Sequence, residues 1–110
     1  MKVKDRRRSQ RHQVELDIEG CGIDWLPFRG RISDLSATGF SLSSAGRLHI
    51  GSYVAVAIPE AGVHSARVVR TAGWRRYGLE FKETLPPRIL RAALTSEGSI
   101  WAAVGVPSIA

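Results

Sequence analysis

Val14, Leu16 and Ile18 alternate with Glu15, Asp17 and Glu19, and a period of two marks a strand with one buried and one wet face. The same texture recurs along the chain. Phe28 to Leu35 predicts a second strand, and Phe40 with Leu42 begins a third. Tyr53 to Ile58 predicts a fourth, stopped by Pro59, and Val63 to Val69 a fifth after the turn Glu60-Ala61-Gly62. Tyr77, Leu79 and Phe81 alternate with Gly78 and Glu80 in a sixth. Turn-forming segments punctuate these runs at Gly20-Cys21-Gly22, Ser36 to Gly39, Ser43 to Gly51 and Arg70 to Arg76. Five or six short strands spaced in this way favour an antiparallel barrel or sandwich.

One segment is helical in pattern. Pro86-Pro87 can open a helix, Ile89, Leu90, Ala93 and Leu94 recur at helical spacing, and Gly98 is expected to end it. Such a helix is expected to pack on the barrel or plug one mouth. A length of 110 residues with 44% hydrophobic content supports one core. The predicted organisation is an arginine-rich arm over residues 1–12, a barrel with its helix over 13–95, and an apolar tail of no clear element over 96–110. Cys21 is the single cysteine, which leaves no intramolecular disulfide and no cysteine metal cluster. The charged N-terminus lacks an apolar core behind it, and the apolar stretch from Ile100 to Ala110 falls short of the ~20 residues a bilayer span needs. A cytoplasmic location is therefore expected.

Charge is distributed unevenly. Residues 1–12 hold Lys2, Lys4, Arg6, Arg7, Arg8 and Arg11 against Asp5 alone, whereas the rest of the chain is nearly balanced. Like charges this dense are expected to keep the arm flexible until an anion neutralises them. Arginine presents a planar fork that can chelate phosphate oxygens, grip the O6 and N7 edge of guanine, or stack on a purine. Arg7 and Arg11 stand four apart, which in an extended chain spans ~13 Å. A solvated leader or a generic nucleic-acid patch would look the same.

The segment Asp34-Leu35-Ser36-Ala37-Thr38-Gly39 is the second candidate. In an extended strand Asp34 and Ser36 project to one side and Leu35 to the other. Gly39 is expected to supply positive φ where the chain reverses. A carboxylate can accept from the N1 and N2 donors of guanine, while a serine hydroxyl suits phosphate or ribose oxygens. An ordinary turn stabilised by its own Asp and Ser side chains is the structural alternative. Trp74, Arg75 and Arg76 fall at an expected hairpin tip, where an indole could stack on a base or simply pack. Trp25 and Trp101 read as core or interface residues.

Catalytic patterns are absent. His12, His49 and His64 share no metal-ligand spacing, and there is neither a Walker-type phosphate loop nor a Gly-x-Ser-x-Gly elbow. The pattern is that of a binding module, without catalytic residues, metal or cofactor.

The arm and the turn, in this order and ahead of barrel-like strands, resemble the PilZ domain family. Its signature is Arg-x-x-x-Arg followed by Asp/Asn-x-Ser-x-x-Gly, matched by Arg7-Arg8-Ser9-Gln10-Arg11 and Asp34-Leu35-Ser36-Ala37-Thr38-Gly39. Tyr77-Gly78-Leu79-Glu80-Phe81 resembles the family's late-strand pattern, so the likeness spans about residues 5–95. The resemblance implies a six-stranded antiparallel β-barrel with a short C-terminal helix and a flexible basic N-terminal arm. It further implies binding of the second messenger cyclic di-GMP by Arg7, Arg11, Asp34, Ser36 and Gly39. Arg6, Arg8 and Trp74 are secondary candidates, and Arg6 resembles members that take a mutually intercalated ligand dimer. The expected mechanism is ordering of the arm on the barrel, read by a downstream protein, in a monomer or ligand-dependent dimer. The alternatives are an adaptor with a degenerate fold and a single-stranded nucleic-acid-binding barrel.

Overall fold

A computed structural model of the chain describes residues 10–22 and 25–104. Six strands precede one helix: β1 (His12–Cys21), β2 (Pro27–Leu35), β3 (Gly39–Ser44), β4 (Tyr53–Ile58), β5 (Gly62–Thr71), β6 (Arg76–Phe81) and α1 (Pro87–Val104). All neighbouring strands are antiparallel and the sheet closes in the order β1-β2-β3-β6-β5-β4. Closure rests on the pairing of Glu19, Gly20 and Cys21 with Ala57, Val56 and Ala55, and it removes the sheet edges. The six-stranded barrel with one C-terminal helix is the architecture that the family resemblance implies, and it decides between the barrel and the sandwich that strand periodicity leaves open.

The alternation explains the interior. Val14, Leu16 and Ile18 of β1 face inward, as do Phe40 and Leu42 of β3, Val54, Val56 and Ile58 of β4, and Tyr77, Leu79 and Phe81 of β6. The rings of Phe40 and Phe81 meet at 5.0 Å between centroids. On the outer face, Asp17 and Glu19 of β1 pair with Arg31 and Arg29 of β2 at 3.0 and 3.6 Å, directly across the strand pair. These exposed pairs fix register more than they stabilise.

The topology sorts the connections between two ends. The β2–β3 turn, the β4–β5 turn and the segment leading to α1 lie at one end, whereas the β1–β2, β3–β4 and β5–β6 connections lie at the other. Because β3 and β4 are not neighbours in the barrel, residues 45–52 must cross its mouth. The backbone N–H of Leu48 donates to the Tyr77 hydroxyl at 3.1 Å and pins that crossing.

The helix departs from expectation in length. It continues through Gly98 to Val104 and so takes in part of the tail for which the sequence shows no clear element. An interior glycine disfavours a helix by only about 1 kcal/mol relative to alanine, which Ile100, Trp101, Ala102 and Ala103 beyond it do not force into a stop. Ala93 is fully buried, and Ile89, Leu90 and Leu94 pack against the barrel core, so α1 docks on the barrel by one apolar face.

Candidate functional site

Three register irregularities interrupt the otherwise regular barrel, between Gln13 and Leu16, between Ile32 and Asp34, and between Val68 and Arg70. They border one row of residues running across five strands. Gln13 lies opposite Asp34, Asp34 opposite Ser41, Ser41 opposite Gly78, and Gly78 opposite Arg70. A bulge inserts one residue and turns the side chains beyond it to the other face. Asp34 is two residues from buried Ile32, and Arg70 is two residues from buried Val68. Unbroken alternation would aim both inward; the bulges aim both out.

Asp34 is the hub of the row. Arg11 Nη1 donates to its Oδ1 at 3.2 Å, and the Ser41 hydroxyl donates to its Oδ2 at 2.9 Å. The Arg11 side chain is 44% exposed and that of Asp34 27%, so both remain open to solvent and to a ligand. Each carboxylate oxygen keeps a second lone pair, and Arg11 keeps most of its N–H donors. The contact holds the last arginine of the arm against the barrel wall.

At the far end of the row, Arg70 lies across Gly78. A Cβ built on Gly78 would stand 2.7 Å from Arg70 Cζ and 2.8 Å from Nη1, so only glycine lets this guanidinium lie flat on the sheet. The Arg70 guanidinium has neither an ion pair nor a side-chain hydrogen bond among the described residues. Arg70, expected in the connection Arg70 to Arg76, belongs to β5. The signal that could have singled it out is a charge in phase with the buried Ala66 and Val68, which in a barrel strand calls for a bulge.

The Asp34–Gly39 turn is built differently from expectation. Asp34 faces out, but Ser36 is buried at 2% exposure, because the bulge and the end of β2 at Leu35 break the alternation. Its Oγ accepts from the N–H groups of Thr38 and Gly39 at 3.2 and 3.1 Å and donates to the Gly39 carbonyl. The Ser36 N–H bonds that same carbonyl at 2.9 Å. Gly39 is not among the positive-φ glycines, which are Gly51, Gly62 and Gly73. Its necessity is one of space, since a Cβ there would fall on the carbonyl oxygen of Leu79 in β6. The carbonyls of Ala37 and Thr38 accept from Leu85 and Phe81, both at 2.8 Å. The turn is thus locked to the segment that leads into α1.

Of the sequence-predicted residues, the structure brings Arg11, Asp34, Ser36 and Gly39 together. Arg6, Arg7 and Arg8 lie outside the described residues. Trp74 sits on the β5–β6 tip, beyond the pair Thr71–Tyr77, and its ring faces the guanidinium of Arg75 at 5.0 Å. Trp25, read as a core or interface residue, is 81% exposed and is not part of the core. Among the described residues, no three His, Cys, Asp or Glu side chains gather as metal ligands.

The arrangement offers one carboxylate acceptor and two guanidiniums on the open outer wall of the barrel. It suits a ligand with both anionic and N–H donor groups. A model of the PilZ domain matches residues 5–96. The fold is similar to the PilZ domain with c-di-GMP of YcgR from Escherichia coli, at 17% identity and TM-score 0.60 over 94% of this chain and 99% of that one. It is also similar to the PilZ domain of CeSA from a cellulose-synthesizing bacterium, at 16% identity and TM-score 0.57 over 84% and 98%. YcgR from Escherichia coli in complex with c-di-GMP matches at 20% identity and TM-score 0.59, over 91% of this chain and 48% of that one. No curated protein matches the chain.

Proposed function

Because the chain belongs to the PilZ domain family, we propose that it is a cyclic di-GMP receptor that binds its ligand between the N-terminal arginines and the Asp34 row of the barrel. The observation that carries this reading is the coincidence of three bulges with one outward row of polar side chains. Bulges re-aim side chains where a sheet serves a site. The c-di-GMP-bound YcgR domain of similar fold supports the choice of ligand.

In this reading Asp34 accepts from the N1 and N2 donors of a guanine, and Ser41 fixes the carboxylate plane for it. Arg11, already at the carboxylate, turns its remaining donors to a phosphate or to the guanine O6 and N7 edge. Arg7 does the same from farther out on the arm. Arg70 supplies a flat cation at the other end of the row, suited to stacking or phosphate contact. Ser36 and Gly39 act by shaping the turn that carries Asp34, while Arg6 and Arg8 are auxiliary contacts; Trp74, on the β5–β6 tip at the end opposite the Asp34 turn, is left out of this contact set. The module has no catalytic role; ligand binding orders the arm across the barrel wall and changes the surface that a downstream protein meets.

Calorimetric titration with cyclic di-GMP, with GTP and GMP as controls, tests the reading. Saturable binding at low micromolar protein is expected, with much weaker response to either control. Absence of binding for the intact chain would remove the proposal.

A further inference from the structure

Among the described residues, five of the six large exposed apolar side chains lie at one end of the barrel: Trp25, Leu26, Ile50, Tyr53 and Trp74. They come from the three connections at that end and the start of β4. The crossing segment 45–52 joins them. The Arg75 guanidinium donates to the Ala45 carbonyl and ties in the β5–β6 tip. Leu26, Pro27 and Phe28 share an apolar cleft of about 230 Å³ with Gly46, Arg47 and Leu48, which ties in the β1–β2 hairpin.

Trp25 is doubly disfavoured where it stands. It is exposed, and it holds a left-handed φ of 64°, which bulky residues rarely adopt. The turn's backbone bonds, from the Trp25 N–H to the Gly22 carbonyl and from the Gly22 N–H to that of Leu26, leave the indole itself in solvent. Trp74 is 78% exposed, with Arg75 beside its ring. Among the described residues of these three connections, the charged side chains are Arg47 and Arg75, with Arg76 next in line and no carboxylate; the sequence adds Asp24 to the first.

We infer that this end of the barrel docks peripherally on an anionic lipid surface. An indole has an apolar body and a polar N–H that match the headgroup boundary of a bilayer. Guanidiniums beside it pair with lipid phosphates, and anionic leaflets attract basic residues held at their surface. The apolar residues project from separate tips around a mouth. A rigid protein surface must be shaped to pack such prongs to interior density, whereas a fluid headgroup layer closes around them. Among the described residues no helix is long and apolar enough to cross a membrane, so the contact is interfacial.

The test uses the full chain with Trp101→Phe, so that fluorescence reports only the two tip tryptophans. Vesicles of phosphatidylglycerol and phosphatidylcholine, with and without brominated acyl chains, are compared with phosphatidylcholine alone. Co-sedimentation with the anionic vesicles is expected, with quenching by brominated lipid both when Trp25→Phe leaves Trp74 and when Trp74→Phe leaves Trp25. Trp25→Ala with Trp74→Ala should lower the partition coefficient at least ten-fold at unchanged circular dichroism, and Arg47→Ala with Arg75→Ala should flatten its salt dependence. Vesicle binding without quenching would place the contact on the basic N-terminus and overturn the inference. So would failure to bind anionic vesicles, or a concentration-dependent dimer that buries the same tryptophans without lipid.

Discussion

Asp34 accepts hydrogen bonds from two sides, one from the arm through Arg11 and one from the neighbouring strand through Ser41. This makes the residues of the candidate site unequal in what their loss should do. Arg11→Ala removes an exposed, charge-assisted contact that the barrel does not need. It is expected to weaken cyclic di-GMP binding about 10- to 100-fold, from the ~1.5–3 kcal/mol of a hydrogen bond to a charged group, with an unchanged urea midpoint. Ser36→Ala should behave in the opposite way. It strips the acceptor from the N–H groups of Thr38 and Gly39, and a buried donor left without its partner costs about 1–3 kcal/mol. Urea denaturation should show that loss, with affinity reduced only as the turn loosens. Gly78→Ala is a third case, because its Cβ meets the end of a flexible side chain and no backbone atom among its nearest neighbours. It should displace Arg70 and weaken ligand binding by a few-fold while stability changes by less than about 1 kcal/mol; titration and denaturation of the same variant check both halves.

At the scale of elements, the barrel joins an ordinary hydrophobic interior to an outer face whose register is interrupted only where the polar row crosses it. The row needs both a strand framework and a local break in it, since rigid neighbours position the side chains and the bulges aim them. The mouth-crossing segment 45–52 follows the same logic at the other end, held by the Tyr77 hydroxyl on the Leu48 N–H. Tyr77→Phe removes that acceptor and keeps the buried ring. Exchange of the Leu48 amide is expected to quicken by roughly an order of magnitude, in line with about 1 kcal/mol for one hydrogen bond, while core amides such as that of Val56 slow or quicken only with global stability. Hydrogen-exchange mass spectrometry or NMR reads the difference.

For the whole molecule, folding and ligand capture are separable. Among the described residues every buried apolar side chain lies between Val14 and Ala93, so the described core of the closed barrel and its docked helix draws nothing from the first nine residues. Deleting residues 1–9 should leave Tm within about 2–3 °C, because the described core keeps all of its buried side chains, yet reduce cyclic di-GMP affinity sharply by removing Arg7. Differential scanning calorimetry and titration of the truncated chain make the comparison. The two ends of the barrel also differ in character: the Asp34 turn belongs to one, and the exposed indoles of Trp25 and Trp74 to the other.

Local periodicity was enough to place five or six short strands, the inward alternation of β1 and the helix that follows the strands, and the order of two short motifs carried the family resemblance that sets an arginine arm against the Asp34–Gly39 turn. Each depends on neighbours within a few positions, where side-chain alternation and turn chemistry act directly. Tertiary structure alone decided that Asp34 and Arg70 face outward, that Ser36 turns into the barrel, and that Gly39 is required by the Leu79 carbonyl rather than by positive φ. It also decided that Trp25 stands in solvent. The reason is the same in each case. A bulge, a close backbone approach or an uncovered tip is set by how one strand meets another across the barrel. That register is a property of partners 20 or more residues apart for Asp34 with Gln13, beyond the reach of any local pattern.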